Sequence, residues 1–199
     1  MWSERVEEGV GWLQEHNMDP GGQVRKRKDG QTDLWKHSWR LTKFAHEVLG
    51  ATDDVTLLTG LFHDTIEDFG ITFEALVARW GLEIGRGVND LTDVKIYPAD
   101  GISIELSWEI RHREKCRRVP AWPLSSVLAS ASDIFDNHTL PDRATPDPIC
   151  RPRYLTWSID DMLPALDRRA RLVGWEGPPL LSLVAPAVME LYRAIDSEQ

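Results

Sequence analysis

Cysteine is nearly absent from this sequence: Cys116 and Cys150 are the only two in 199 residues. Two thiols do not suggest a disulfide framework, so an intracellular, reduced protein is expected. Positive charge is in deficit. Lys and Arg number 23 against 32 Asp and Glu, for a net charge of −9, which argues against a duplex DNA or RNA partner. No run of 18 apolar residues occurs, so no membrane span or membrane partner is expected. The opening MWSERVEEGV lacks the basic-then-apolar layout of a secretory signal. The expected compartment is therefore the cytoplasm. Strand patterning is lacking as well: no run of β-branched residues alternates cleanly over six positions, and no internal repeat or low-complexity tract is evident.

What remains is helical. A length of 199 residues with 42% hydrophobic content is enough for one ordinary domain with a full core, expected to span 1–199. Periodicity marks helices at about 2–16, 34–49, 53–69, 72–80, 82–92, 102–117, 121–139, 154–173 and 179–196. Pro and Gly mark the breaks between them. Asp53 and Thr72 stand where N-caps belong, a short hairpin fits 18–33, and the Pro-rich 141–153 reads as a loop. Two basic clusters, Arg25 to Lys28 and Arg111 to Arg118, hold nine of the 23 basic residues. Each reads either as solvated surface or as a local site for a small polyanion such as a nucleotide polyphosphate.

The segment LFHDTIEDF, residues 61–69, places four ionisable residues inside an apolar run. At about 100° per residue, with His63 set at 0°, Glu67 falls near 40°, Asp64 near 100° and Asp68 near 140°. All four share one face, and Leu58, Phe62, Ile66 and Phe69 share the other. Such a helix is either an amphipathic surface helix with a wet acidic edge or one whose acidic face is held by cations. His37 lies on an apolar face with Leu34, Leu41, Phe44 and Val48. Alone, a histidine there is more often a satisfied core residue than a ligand. In the 121–139 helix, Ser126, Ser130, Asp133 and Asn137 share a face, as expected of a helix lining a cramped polar cavity. His37, His63, Asp64 and Asp133 thus come from three helices. Two imidazoles and two carboxylates suit a divalent ion such as Mn²⁺, Fe²⁺ or Zn²⁺ with positions open to water.

The order His…His-Asp…Asp resembles the HD superfamily of metal-dependent phosphohydrolases. HDTIED, then Thr72, Phe73 and Glu74, Trp80 and Gly81, and the run from Val88 to Asp93 look like the hydrolase domain of the RelA/SpoT group. The likeness is greatest to the small stand-alone (p)ppGpp hydrolases. RKRKDG and the stretch from Ala131 to Asn137 echo two further family segments, and the likeness covers about 24–140. It implies an all-α HD-domain bundle in which one divalent ion, Mn²⁺ first and Fe²⁺, Zn²⁺ or Co²⁺ as alternatives, is held by His37, His63, Asp64 and Asp133. It makes Glu67 and Asp68 the catalytic acidic pair, Asn137 a nucleoside contact, and Arg27 or Lys28 a base-stacking or phosphate-contacting residue. The implied activity is 3′-pyrophosphohydrolysis of (p)ppGpp, a small nucleotide, in a chain whose oligomeric state is left open. Ile134 departs from the family, which has a cation after the last metal-binding Asp. The other readings are an HD nucleotidase or phosphatase for a different nucleotide, a di-iron HD oxygenase, for which only His112 offers an additional histidine in the required interval, and a non-catalytic nucleotide sensor.

Overall fold

The computed structural model describes residues 2–19, 21–27, 30, 32–93, 104–139 and 150–196. The helices are α1 Glu4–His16, α2 Leu34–Glu47, α3 Asp54–Phe62, α4 Thr65–Asp68, α5 Phe73–Trp80, α6 Leu82–Leu91, α7 Ile104–Arg118, α8 Leu124–Thr139, α9 Cys150–Thr156, α10 Leu163–Leu172 and α11 Leu180–Asp196. A 3₁₀ turn, Val119–Ala121, precedes α8, and a π-helical stretch, Trp157–Met162, joins α9 to α10. Among the described residues there is no strand, only isolated antiparallel bridges Met18↔Val24 and Lys26↔Asp33. The expected hairpin is thus reduced to a folded-back segment that starts α2. No helix is long and apolar enough to cross a membrane among the described residues.

Helix α3 is the hub. Every residue from Thr56 to Phe62 is buried, and the helix packs against α1, α2, α6 and α8. A side chain at Gly60 would meet Leu41 Cδ1 at 3.0 Å and Ala129 Cβ at 3.8 Å. Its absence lets α2 and α8 approach α3 at the level of the ionisable residues. Capping follows the sequence: Asp53 accepts from Thr56 N at 2.8 Å and Thr72 from Ala75 N at 3.2 Å.

Two expectations are corrected. The helix expected over 53–69 is broken after Phe62. Asp64 takes φ −95° and ψ 0°, and Thr65 Oγ donates to the Phe62 carbonyl at 2.7 Å, replacing a lost helical partner. The single polar face of a continuous helix therefore does not exist. The segment 141–153, which reads as loop, is not loop to its end, because α9 begins at Cys150. Pro152 falls in the first turn, where a missing N–H costs nothing because those donors have no helical acceptor. Pro164 sits just past the π-helical stretch. A wider turn there accommodates a residue that would otherwise clash with the carbonyl four positions earlier.

Candidate active site

The break after Phe62 aims His63 and Asp64 at one point. On a regular helix they would diverge by about 100°, yet His63 Nε2 stands 2.9 Å from Asp64 Oδ2. α2 brings His37 Nε2 to 3.2 Å from His63 Nε2 and 3.8 Å from Asp64 Oδ2. α8 brings Asp133 Oδ1 to 3.1 Å from His37 Nε2 and 3.6 Å from His63 Nε2. The donor atoms of His37, His63 and Asp64 all lie within 4.8 Å of one another; Asp133 approaches the two imidazoles from α8 but stands outside that compact group.

The set fits a divalent cation. Ligand atoms about 2.1 Å from a shared ion lie within roughly 4.2 Å of one another, a limit met by the three pairs among His37, His63 and Asp64 and by Asp133 toward the two imidazoles. The tautomers fit too. His63 Nδ1 is 2.9 Å from the Gly60 carbonyl, and His37 Nδ1 is 2.6 Å from Asp136 Oδ2. Both Nδ1 atoms then carry their hydrogens away from the centre and leave Nε2 bare toward it. Asp136 is buried and also accepts from Arg40 Nε at 2.9 Å and Nη2 at 3.0 Å.

Charges in the cluster hold one another. Burial alone would lower the His63 pKa, but Asp64 and then Asp133 raise it to about 9. Burial alone would raise Asp133, but the hydrogen bond to His37 and the nearby imidazoles hold it well below the usual carboxylate range. A proton on His63 thus does, without metal, part of what a cation would do. Glu67 lines the cavity beside the cluster, and Asp68 follows it in α4. Both reach solvent, yet their carboxyl groups are partly shielded. That shielding and the Asp64 charge raise both groups, Asp68 to about 6. Glu67 Oε1 accepts from Asp93 N at 2.7 Å.

The surrounding cavity of about 200 Å³ is lined by Arg27, Glu67, Asp93, His112, Lys115, Ser130, Ile134, Asn137, Tyr154 and Trp157 along with His37, Asp64 and Asp133. Arg27 Nη2 donates to Asn137 Oδ1 at 2.9 Å, and Asn137 Nδ2 donates to Asp133 Oδ1 at 2.6 Å. Two of the residues read as substrate contacts are therefore linked to each other and to the Asp133 carboxylate. Lys28 lies outside the described residues. Ile134 is buried and brings no charge; the positive charge on that side is Lys115 of α7, 3.4 Å from Asp93 Oδ1. Burial would lower the Lys115 pKa, but Asp93, Asp133, Glu67 and Asp64 raise it.

Sequence reasoning missed Asp136, Arg40, Asp93, Tyr154 and Trp157. Asp136 had a signal, since it lies three residues after Asp133 and shares its face. Tyr154 and Trp157 had none, because they belong to a part of the chain outside the family likeness. His112 lines the cavity, with its Nδ1 2.7 Å from the Trp108 carbonyl and its ring stacked on Trp108.

An all-helical fold with this His-His-Asp-Asp cluster at its centre defines the HD hydrolase class. No family model matches the chain. Individual proteins do. It is 30% identical over 141 residues to a guanosine-3′,5′-bis(diphosphate) 3′-pyrophosphohydrolase MESH1 of Xenopus tropicalis, covering 69% of this chain and 74% of that protein. To the human protein of the same name it is 32% identical over 124 residues, covering 62% of this chain and 64% of that one. A solved structure described as a metazoan ortholog of SpoT that hydrolyzes ppGpp superposes with a TM-score of 0.71, at 19% identity, over 98% of this chain and 97% of its own. The chain belongs to the MESH1 family of HD-type hydrolases.

Proposed function

We propose that this protein is a metal-dependent (p)ppGpp 3′-pyrophosphohydrolase, acting in the cytoplasm as a single HD-type unit over residues 1–199. The reaction is hydrolysis of the bond between the ribose 3′ oxygen and its diphosphate, giving GDP or GTP and pyrophosphate. The observation that carries the reading is the convergence of His37, His63, Asp64 and Asp133, with Glu67 lining the same cavity and Asp68 near enough to feel the Asp64 charge. It is supported by the substrate named for the relatives.

A divalent cation, Mn²⁺ first, held by the four ligands supplies Lewis-acid polarisation of a phosphoryl oxygen and a water of lowered pKa. The chain supplies the rest. Asp68, raised to about 6, is matched to accept and return a proton near neutral pH, and Glu67 stands beside it as the second candidate base. Arg27, Lys28 and Asn137 orient the nucleotide. Lys115 takes the part of the cation replaced by Ile134, and it faces the developing charge on the transferred phosphoryl group.

Ile134 also favours a second reading, a nucleotidase for a substrate with fewer phosphates. A panel of ppGpp, pppGpp and simple 5′- and 3′-nucleotides with Mn²⁺ separates the two. Pyrophosphate release from ppGpp supports the first. No turnover of ppGpp beside rapid turnover of a monophosphate leaves the second.

A further inference from the structure

The basic cluster from Arg111 to Arg118 divides by helical spacing. Arg111, Lys115 and Arg118 stand at i, i+4 and i+7 and share one face of α7. That face meets the C-terminal end of α6. Arg118 Nη2 donates to the Thr92 carbonyl at 2.9 Å and Nη1 to the Asn89 carbonyl at 3.4 Å, acceptors of the kind a helix end leaves free. Arg111 and Lys115 converge instead on the next residue, Asp93. Arg111 Nη1 is 3.3 Å from Asp93 Oδ2, and Lys115 Nζ is 3.4 Å from Asp93 Oδ1. Arg113 and Arg117, on the rest of the helix, are exposed.

One carboxylate thus bridges two cations. Arg111 Nε is buried without a hydrogen-bond partner among the described residues, so donor capacity is left over beside it. Two cations facing one set of oxygens is an arrangement that phosphate, with its higher charge and additional oxygens, fits better than a carboxylate does. Asp93 and Lys115 both line the metal cavity. The cavity sets Asp64, Glu67, Asp93 and Asp133 against Arg27 and Lys115. A divalent ion offsets the acidic excess, and Asp93 is then the carboxylate that cancels Lys115. The main-chain N–H of Asp93 donates to Glu67 Oε1 at 2.7 Å, which keeps the Asp93 side chain within reach of Lys115.

We infer that Asp93 is an internal competitor for phosphate: its carboxylate occupies the position on Lys115 that a phosphoryl oxygen takes, and it thereby limits how tightly the site holds pyrophosphate. The inference rests on the proposed nucleotide hydrolysis. Each turnover leaves a highly charged diphosphate beside a metal ion and Lys115. A site that kept it at full strength would be closed to the next substrate, since product release sets the rate of many enzymes. Asp93, tethered through its main chain, returns to Lys115 as the diphosphate departs.

The test is calorimetric titration of inorganic pyrophosphate into the Mn²⁺-loaded protein, with free Mn²⁺ buffered at a constant saturating level. Asp93→Asn keeps the main-chain contact to Glu67 and removes the competing charge. Its Kd for pyrophosphate should fall about 10-fold, the low end for a charge-assisted contact because Lys115 is not fully buried. Lys115→Met should raise Kd about 10-fold, and in that background Asp93→Asn should change it less than about twofold. Asp93→Glu, which keeps the charge, should stay near the wild-type value. Unchanged or weaker binding in Asp93→Asn overturns the inference and leaves Asp93 a structural tie between α6 and α7. An equal gain with and without Lys115 overturns it too, as a general charge effect. If neither the wild type nor Asp93→Asn takes up pyrophosphate while ppGpp is cleaved, the inference fails and the hydrolase reading stands. If Asp93→Asn tightens pyrophosphate but no nucleotide is cleaved, the hydrolase reading fails and the competition at Lys115 stands. Should a thermal melt show Asp93→Asn unfolded, Asp93→Ser carries the same comparison; should both be unfolded, an unchanged Kd in Lys115→Met overturns the inference.

Discussion

Replacing Asp136 by Asn tests how the metal centre is assembled. Asp136 is 4% exposed and accepts three hydrogen bonds, one from His37 Nδ1 and two from Arg40. Its charge stabilises the His37 tautomer that leaves Nε2 bare at the centre. Asn keeps the volume but presents one acceptor and one donor where two donors now meet a carboxylate. Either the amide nitrogen faces His37 and drives the other tautomer, placing an N–H in the metal position, or it faces Arg40 and leaves His37 with a weaker, neutral acceptor. Loss of such an outer partner costs roughly 10- to 100-fold in metal affinity, or about 1.4–2.7 kcal/mol. Arg40→Gln keeps the His37 contact and should cost less than about 10-fold. Chelator competition with Mn²⁺ measures the affinity, and a thermal melt of the metal-free protein reports any loss of fold separately. A folded Asp136→Asn protein that binds Mn²⁺ as tightly as the wild type would show that His37 does not depend on this partner.

His37→Ala, His63→Ala, Asp64→Ala and Asp133→Ala should each lower bound metal and activity together; full occupancy in His37→Ala would return His37 to the role of a core histidine. Charge reversal at Arg27 and Lys28 should raise KM by about 10-fold or more with a smaller change in kcat, and an unchanged KM on every active nucleotide would make the cluster solvated surface. Because His63 is raised to about 9 without metal, cation uptake at neutral pH should release about one proton; affinity should climb as pH approaches 9, and titration heats that do not vary with buffer ionisation enthalpy would contradict this. His112, lowered from 6.5 to about 4 chiefly by burial, is neutral in the fold and protonates first in the unfolded chain. Its contribution is full above about pH 6.5, is lost as pH falls toward 4, and totals roughly 3 kcal/mol; urea melts of wild type and His112→Gln should show that slope only in the wild type.

The helices were legible because apolar spacing, caps and Pro/Gly breaks agreed along the chain. The errors came where one of those signals was ambiguous. Leu58, Phe62, Ile66 and Phe69 keep helical spacing straight through His63, so nothing in the pattern reveals the break. What makes it is local: the Thr65 hydroxyl replaces a main-chain partner of Phe62. Likewise Pro152 reads as a loop residue in sequence, while the first helical turn tolerates it.

The clustered residues His37, His63, Asp64 and Asp133 were legible by type and order, but the way they come together was not. A wheel drawn on an unbroken helix spreads the four acidic and basic groups of LFHDTIEDF over one face. The structure divides them instead. His63 and Asp64, at the break, turn inward to meet His37 and Asp133, while Glu67 and Asp68, one turn later, stay exposed. Groups at the centre are held charged by one another, so Asp133 is driven down and His63 up. Glu67 and Asp68 are driven up first by burial of their carboxyl groups and then by the Asp64 charge. A break in a helix thus separates four neighbouring residues into an inward pair, His63 and Asp64, and an exposed pair, Glu67 and Asp68. That separation explains why ionisable side chains occupy a stretch whose flanking residues are core.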